Sequence, residues 1–289
     1  MGNGPVVRRR KLGEELRSLR HSSGLTSQQA ASLLGWHQSK VSRIETGASG
    51  VSPADVGRLL DAYAVVDPEL RTLLSALAGS ADGRDTGWWH AYRGVIPPQY
   101  RDFIALEAQA ETARTLETSV VPGLLQTADY ARSVTESALD GIAGDHLDAL
   151  VEVRLARQSV LRCEAPLRLT AVLDEAVLRR EVGGRRVMRA QLDHLAHMSE
   201  LPHVEIQLVP FSAGGYVGLT GPFVIFSFPT TSALDVVVLD HLTRSHYLER
   251  KEDLEAYGSA FRTMRERALS PERSRDLITA IGRQDAGRA

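Results

Sequence analysis

Between Gly35 and Gly47 the sequence reads GWHQSKVSRIETG, and six of its polar side chains have the chemistry to meet a nucleic-acid surface: Gln38, Ser39, Lys40, Ser42, Arg43 and Thr46. At about 100° per residue, Val41 and Ile44 share one side of a helix. Ser39, Ser42, Arg43 and Thr46 fall opposite, and Gln38 and Lys40 flank them. Small hydroxyls let a helix backbone approach a groove floor. Gln can bond adenine N6 and N7 as a bidentate pair, and Arg or Lys can reach guanine O6/N7 or a phosphate. The one acid of the segment, Glu45, falls on the apolar side, within reach of Arg17 or Arg20 of the preceding helix. The competing reading is a solvated face on a small helical bundle.

Other stretches carry weaker chemistry. His194 and His197 share a helix face, and His203, His241 and His246 can be added to them, but metal ligation needs three or four converging ligands with supporting partners. The stretch AGGYVGLTG (213–221) is glycine-rich yet lacks the Lys-Ser/Thr of a phosphate-binding loop, and it lies between two strands. Asp174-Glu175 reads as a helix start rather than a catalytic carboxylate pair, and no GxSxG elbow occurs. Trp88, Trp89 and Tyr92 cluster ahead of Pro97-Pro98, a packing element or, alternatively, an aromatic cage. These residues give no catalytic, metal or cofactor-binding site, so no enzyme and no cofactor is expected.

The elements that position the 35–47 segment are legible. Leu12, Leu16 and Leu19 fall at helical spacing and Gly24 ends that helix. Thr26-Ser27-Gln28-Gln29 reads as a capping box opening a second helix with Ala30, Leu33 and Leu34 as its stripe, stopped at Gly35. The third helix runs from about Gln38 to 46, with His37 a poor N-cap. Ser52-Pro53-Ala54-Asp55 and Asp67-Pro68 start two more, with stripes at Val56, Leu59, Leu60, Tyr63 and at Leu70, Leu73, Leu74, Leu77. Five short amphipathic helices make an all-α domain over 1–79, with helices two and three as a helix-turn-helix.

AGSADGRDT (78–86) suits a linker, placed at 80–87, and residues 88–289 form a second domain. There the patterns predict helices at 101–117, 127–139, 145–162, 174–181, 185–200, 251–269 and 271–282. Strands are expected at 167–173, 203–209, 223–228 and 234–239, the last two apolar on both sides and hence central. The sum is α+β, a small sheet with many helices.

Composition sets outer limits. A hydrophobic fraction of 43% and a charged fraction of 24% in 289 residues are those of a globular chain with room for two domains. The formal net charge is −2, but residues 1–50 hold eight Lys/Arg against three Asp/Glu, a local basic footprint. Arginine outnumbers lysine 31 to 3, which points to a GC-rich genome more than to phosphate binding. The run Arg8-Arg9-Arg10-Lys11 reads as a solvated arm or, where a DNA reader follows it, as an arm against the DNA backbone. The single cysteine, Cys163, excludes an intrachain disulfide and fits a reducing cytosol. No apolar run reaches the roughly 20 residues that span a bilayer, and no apolar core follows the basic run as in a signal peptide. A cytoplasmic protein, nucleoid-associated when bound to DNA, is expected.

The stretch LTSQQAASLLGWHQSKVSRIETG (25–47) resembles the Xre-type, phage repressor and Cro-like, helix-turn-helix domain over residues 12–64. That resemblance implies double-stranded DNA as partner, Ser27 and Gln28 at phosphates, and Gln38, Ser39, Lys40, Ser42 and Arg43 at bases or nearby phosphates. Trp36-His37 departs from the family's small aliphatic followed by Ser or Thr. Farther on, VPGLLQTADYAR (121–132), RLARQSVL (154–161), LDEAVLRREVGG (173–184), MRAQLDHL (188–195) and GLTGPFVIFSF (218–228) resemble the C-terminal domain of unknown function of actinobacterial WhiJ-like, antitoxin-like regulators. This implies transcription regulation and, at residues 88–289, a ligand, a second copy of the chain or a small partner protein encoded nearby; because one helix-turn-helix module reads few base pairs, a homodimer on a two-fold site is expected. An antitoxin-like protein that sequesters that partner and autoregulates its operon is the alternative.

Overall fold

The structure, a computed structural model, describes residues 4–79, 88–92, 94–139, 141, 143–216, 221–228, 235–241 and 245–286. The segment 80–87, assigned above as a linker, lies outside them. The chain forms two compact units, one built on the N-terminal helices and one on a β-sheet.

Five successive helices form the N-terminal bundle of the first: α1 (Gly4–Ser22), α2 (Ser27–Leu34), α3 (Gln38–Glu45), α4 (Pro53–Ala62) and α5 (Pro68–Gly79). The basic run 8–11 is therefore part of α1 rather than an arm ahead of it. The capping box forms as the sequence predicts: the Thr26 hydroxyl accepts from the Gln29 amide at 3.2 Å and the Gln29 side chain accepts from the Thr26 amide at 2.8 Å. Gly35 (φ 66°) caps α2, a conformation that a side chain would strain. Ser52 caps α4 with Pro53 at its first position. Leu12, Leu16, Ala30, Val41, Ile44, Val56, Leu59, Leu60 and Leu74 are buried and form the core of the bundle.

The second unit is α+β. A six-stranded mixed sheet, larger than the sequence suggested, runs in the order β3-β2-β1-β4-β5-β6. Its strands are β1 (Thr112–Glu117), β2 (Arg168–Asp174), β3 (Val204–Val209), β4 (Phe223–Ser227), β5 (Val236–Asp240) and β6 (Ser245–Leu248). The first three are mutually parallel, and β4, β5 and β6 follow antiparallel. Helix α6 (Pro98–Gln109) has residues 98–106 in the first unit and its last residues in the second, whose other helices are α7 (Ala128–Ala138), α8 (Gly144–Arg157), α9 (Glu175–Arg179), α10 (Arg185–Met198), α11 (Lys251–Arg267) and α12 (Pro271–Ala286).

Two expectations are corrected. The helix expected at 101–117 ends at Gln109, and residues 112–117 form β1, which pairs on both sides and is central. The edge strand β6 was not expected at all. One face of the sheet packs Leu116, Val172, Phe223, Ile225 and Val237 against Phe261 and Met264 of α11.

The motif VPGLLQT owes its residue types to buried backbone. Val121 N–H donates to the Tyr130 hydroxyl, and the side-chain amides of Gln126, Gln158 and Gln191 donate to the carbonyls of Val121, Gln126 and Leu125. Gln191 also accepts from the Thr127 amide. Beside this loop the buried Arg157 guanidinium forks onto Glu107 at 2.8 and 2.7 Å. A loop that would leave polar groups unpaired in the interior is thus satisfied by three glutamines.

Candidate nucleic-acid interface

Helix α3 is positioned from its inner side. Val41 and Ile44 are buried in the bundle, and Glu45 beside them is buried too. Arg20 of α1 grips Glu45 with two parallel hydrogen bonds, Nε to Oε1 at 2.7 Å and Nη2 to Oε2 at 2.8 Å, and its Nη1 donates to the Leu25 carbonyl at 2.7 Å. Of the two arginines named from sequence, Arg20 is the partner. The Tyr63 hydroxyl adds a longer contact to Glu45 Oε1 at 3.4 Å. Hydrogen bonding to Glu45 raises the Arg20 pKa, while burial, then the Glu45 charge, pushes the Tyr63 phenol up. Gly13 of α1 lies against the same turn, leaving no room for a Cβ beside the Ile44 and Glu45 carbonyls.

The two flanking residues are each tied to a neighbouring helix. Gln38 Nε2 donates to Ser27 Oγ at the start of α2, at 3.0 Å, so two residues expected at DNA are brought together. Lys40 leans the other way. Its ammonium sits 2.9 Å from Asp55 Oδ2 on α4 and 3.7 Å from the centre of the Trp36 ring. Arg58, also on α4, lies 5.1 Å from that ring, reaches Asp55 Oδ1 at 3.7 Å and donates to the Leu34 carbonyl at 2.8 Å. The sequence reading took Asp55 only as the acid of a helix start and did not single out Arg58; Trp36, noted there only as a departure, was the available signal.

The remaining side points outward. Ser39 and Arg43 are exposed and Ser42 is half-buried. Arg43 has no carboxylate partner among the described residues. Thr46, just past the helix, turns its hydroxyl back to the carbonyls of Ser42 and Arg43 at 2.9 and 3.3 Å. Gln28 is exposed on the second residue of α2. His37 makes no side-chain cap bond, as its type foretold. The face therefore offers a cation, two small hydroxyls and an amide already oriented by Ser27, a set able to read base edges and hold phosphates.

In the other unit, among the described residues, no three His, Cys, Asp or Glu side chains converge as a metal site. His194 is held below its ordinary pKa, first by burial and then by the neighbouring charges of His197 and Arg162. The glycine-rich stretch joins β3 to β4. Its residues 217–220 lie outside the described ones, and its Tyr216 donates to Asp174 at 2.6 Å. Among the described residues no helix is long and apolar enough to cross a membrane.

Comparison with known proteins gives two matches in succession along the chain. Residues 11–74 match a helix-turn-helix domain profile, which implies DNA binding, and residues 100–280 match the profile of a domain of unknown function, DUF5753. Neither a curated protein nor a solved structure matches the chain. With the second match covering more than half of its length, the chain belongs to the DUF5753 family and carries a helix-turn-helix domain ahead of that domain.

Proposed function

We propose that the protein is a sequence-specific transcriptional regulator whose α3 enters the major groove, with a partner or ligand at the DUF5753 domain setting its activity. The observation that carries this reading is the outward row of α3: Ser39, Ser42 and Arg43, flanked by a Gln38 oriented through Ser27. In it, Ser27 and Gln28 meet phosphates and Thr46 closes the row. The reading assigns the chain no reaction and no cofactor, and places it in the cytoplasm.

One helix-turn-helix module buries only about 600–1,000 Å² of protein surface and reads few base pairs, so a homodimer on half-sites about one helical turn apart is proposed. The resemblance of the second unit to WhiJ-like, antitoxin-like regulators supports a small protein as what docks there. A duplex enriched from a randomised pool by full-length protein tests the reading. A variant with Gln38, Ser42 and Arg43 all changed to Ala should lose preference for that duplex over random sequence. Equal binding by the two proteins would refute it.

A further inference from the structure

Of the two flanking residues of α3, only Gln38 is aimed by its tether along the face that reads DNA; Lys40 is turned toward α4. Resting on the DNA-binding reading above, we propose that Asp55 is a positioning residue that withholds Lys40 from the DNA backbone. It pins the ammonium against the Trp36 ring, so that recognition rests on Gln38, Ser39, Ser42 and Arg43.

The geometry has three parts. Lys40 Nζ lies 2.9 Å from a carboxylate oxygen and 3.7 Å from the ring centre, so both attractions act on the same ammonium. Asp55 is fixed in turn: its backbone amide donates to the Ser52 cap at 3.1 Å, which sets its place on the first turn of α4. Arg58 approaches the other carboxylate oxygen at 3.7 Å and anchors itself on the Leu34 carbonyl at the end of α2. Trp36 thus sits in the turn between α2 and α3 with one cation from α3 and one from α4 at its ring.

The consequence is electrostatic. A half-exposed ion pair biases a side chain by a factor of about two to five, and a cation–π contact adds a similar factor. Together they favour the held position by about an order of magnitude. A lysine free to swing would bind phosphate regardless of sequence, because phosphate contacts carry affinity and position but no base information. Holding it lowers non-specific affinity while leaving the base-reading side chains untouched, which raises the ratio of specific to non-specific binding.

The test uses full-length protein, the enriched duplex and a random-sequence duplex, with affinities measured between 50 and 200 mM salt. Asp55→Asn keeps the backbone cap and removes the charge. It should steepen the plot of log affinity against log salt by about 0.9, an extra loss of about 3.5-fold across that range, and should narrow the ratio between the two duplexes. Lys40→Ala alone should leave the slope unchanged, and added to Asp55→Asn it should restore the wild-type slope. Asp55→Glu should behave as wild type.

A steeper slope that survives Lys40→Ala would mean that Asp55 repels DNA itself or restrains Arg58 rather than Lys40, and would overturn the proposal. So would a Lys40→Ala variant whose own slope is shallower by about 0.9, or an Asp55→Asn variant with no change. Wild-type protein that bound neither duplex would instead refute the DNA-binding reading itself. Thermal unfolding of each variant separates these outcomes from a folding defect, which would not reproduce a lysine-dependent salt slope.

Discussion

Gly13→Ala asks how rigidly α1 fixes α3, the proposed recognition helix. A methyl group there would stand 2.5 Å from the Ile44 carbonyl oxygen, 2.7 Å from that of Glu45 and 2.8 Å from the Glu45 carbonyl carbon. These are backbone atoms, so no side-chain rotation relieves the contact. Two effects oppose each other. Alanine is favoured over glycine inside a helix by about 1 kcal/mol, whereas overpacking a close contact costs about 1–3 kcal/mol. Carbon-to-carbonyl-oxygen contacts settle near 3.3–3.6 Å, so α1 and α3 must part by roughly 0.8–1.1 Å from the 2.5 Å approach. Overpacking wins, and the expected net loss is up to about 2 kcal/mol by urea unfolding. The larger effect is on DNA. A displacement of that size moves Gln38, Ser42 and Arg43 together, and each bidentate base contact that slips forfeits about 1–3 kcal/mol of discrimination. Titration with the enriched and random duplexes should show the preference between them falling by tenfold or more, using about 1.4 kcal/mol per factor of ten. A Gly13→Ala protein about 1 kcal/mol more stable than wild type, with its base preference intact, would show helix propensity in command and refute the packing argument.

The remaining predictions concern charges away from solvent. Glu45→Ala leaves the Arg20 guanidinium buried without its carboxylate, and breaking such a pair costs about 3–5 kcal/mol in urea unfolding; a loss below about 1 kcal/mol would mean that the pair contributes no more than a surface one. In the second unit Glu117, at the end of β1, has its carboxyl pushed up to about 8 by burial and then by the like charge of Asp240. Because that value lies above the ordinary 4.5, the folded state keeps the proton where the unfolded chain releases it. Stability therefore falls as pH rises from about 4.5 to 8, by up to about 1.4 kcal/mol per pH unit. Glu117→Gln should flatten the melting temperature between pH 5.5 and 8.5, and an unaltered pH dependence would contradict the assignment.

What the sequence disclosed follows the range over which each interaction acts. The capping box at Thr26 and the Ser52-Pro53 start were legible because cap chemistry spans three or four residues. Glu45 could be assigned to the inner side from helical geometry alone, but choosing Arg20 over Arg17 needed the packing of α1 on α3. The Lys40 tether was out of view because its partner lies fifteen residues on, and Asp55 already had a local explanation as an acid in the first turn of α4. The largest misreading, β1, has the same origin. The residues from Ile104 to Glu117 are rich in Ala, Leu, Glu and Gln without a glycine or proline break, so local propensity favours helix throughout. Only pairing with β2 on one side and β4 on the other makes 112–117 a strand.

The restraints on α3 have an arrangement that bears on function. At eight residues, with an N-cap that makes no side-chain bond, α3 is far shorter than the roughly 12–15 residues at which an isolated helix becomes even marginally stable. Its order must come from outside: Val41 and Ile44 in the core, the Arg20 fork on Glu45, the backbone approach at Gly13, Ser27 at one rim and Asp55 at the other. Each of these acts on the inner side or a rim, leaving Ser39 and Arg43 exposed on the outward side. The helix is thus ordered on folding, so little conformational entropy remains to be lost when it meets a groove. The inner restraints place all of the side chains proposed to read DNA as one body, whereas each rim tether governs a single side chain. Loosening an inner restraint should therefore lower affinity and preference together, and cutting a rim tether should shift the balance between base reading and phosphate binding while the helix stays in place.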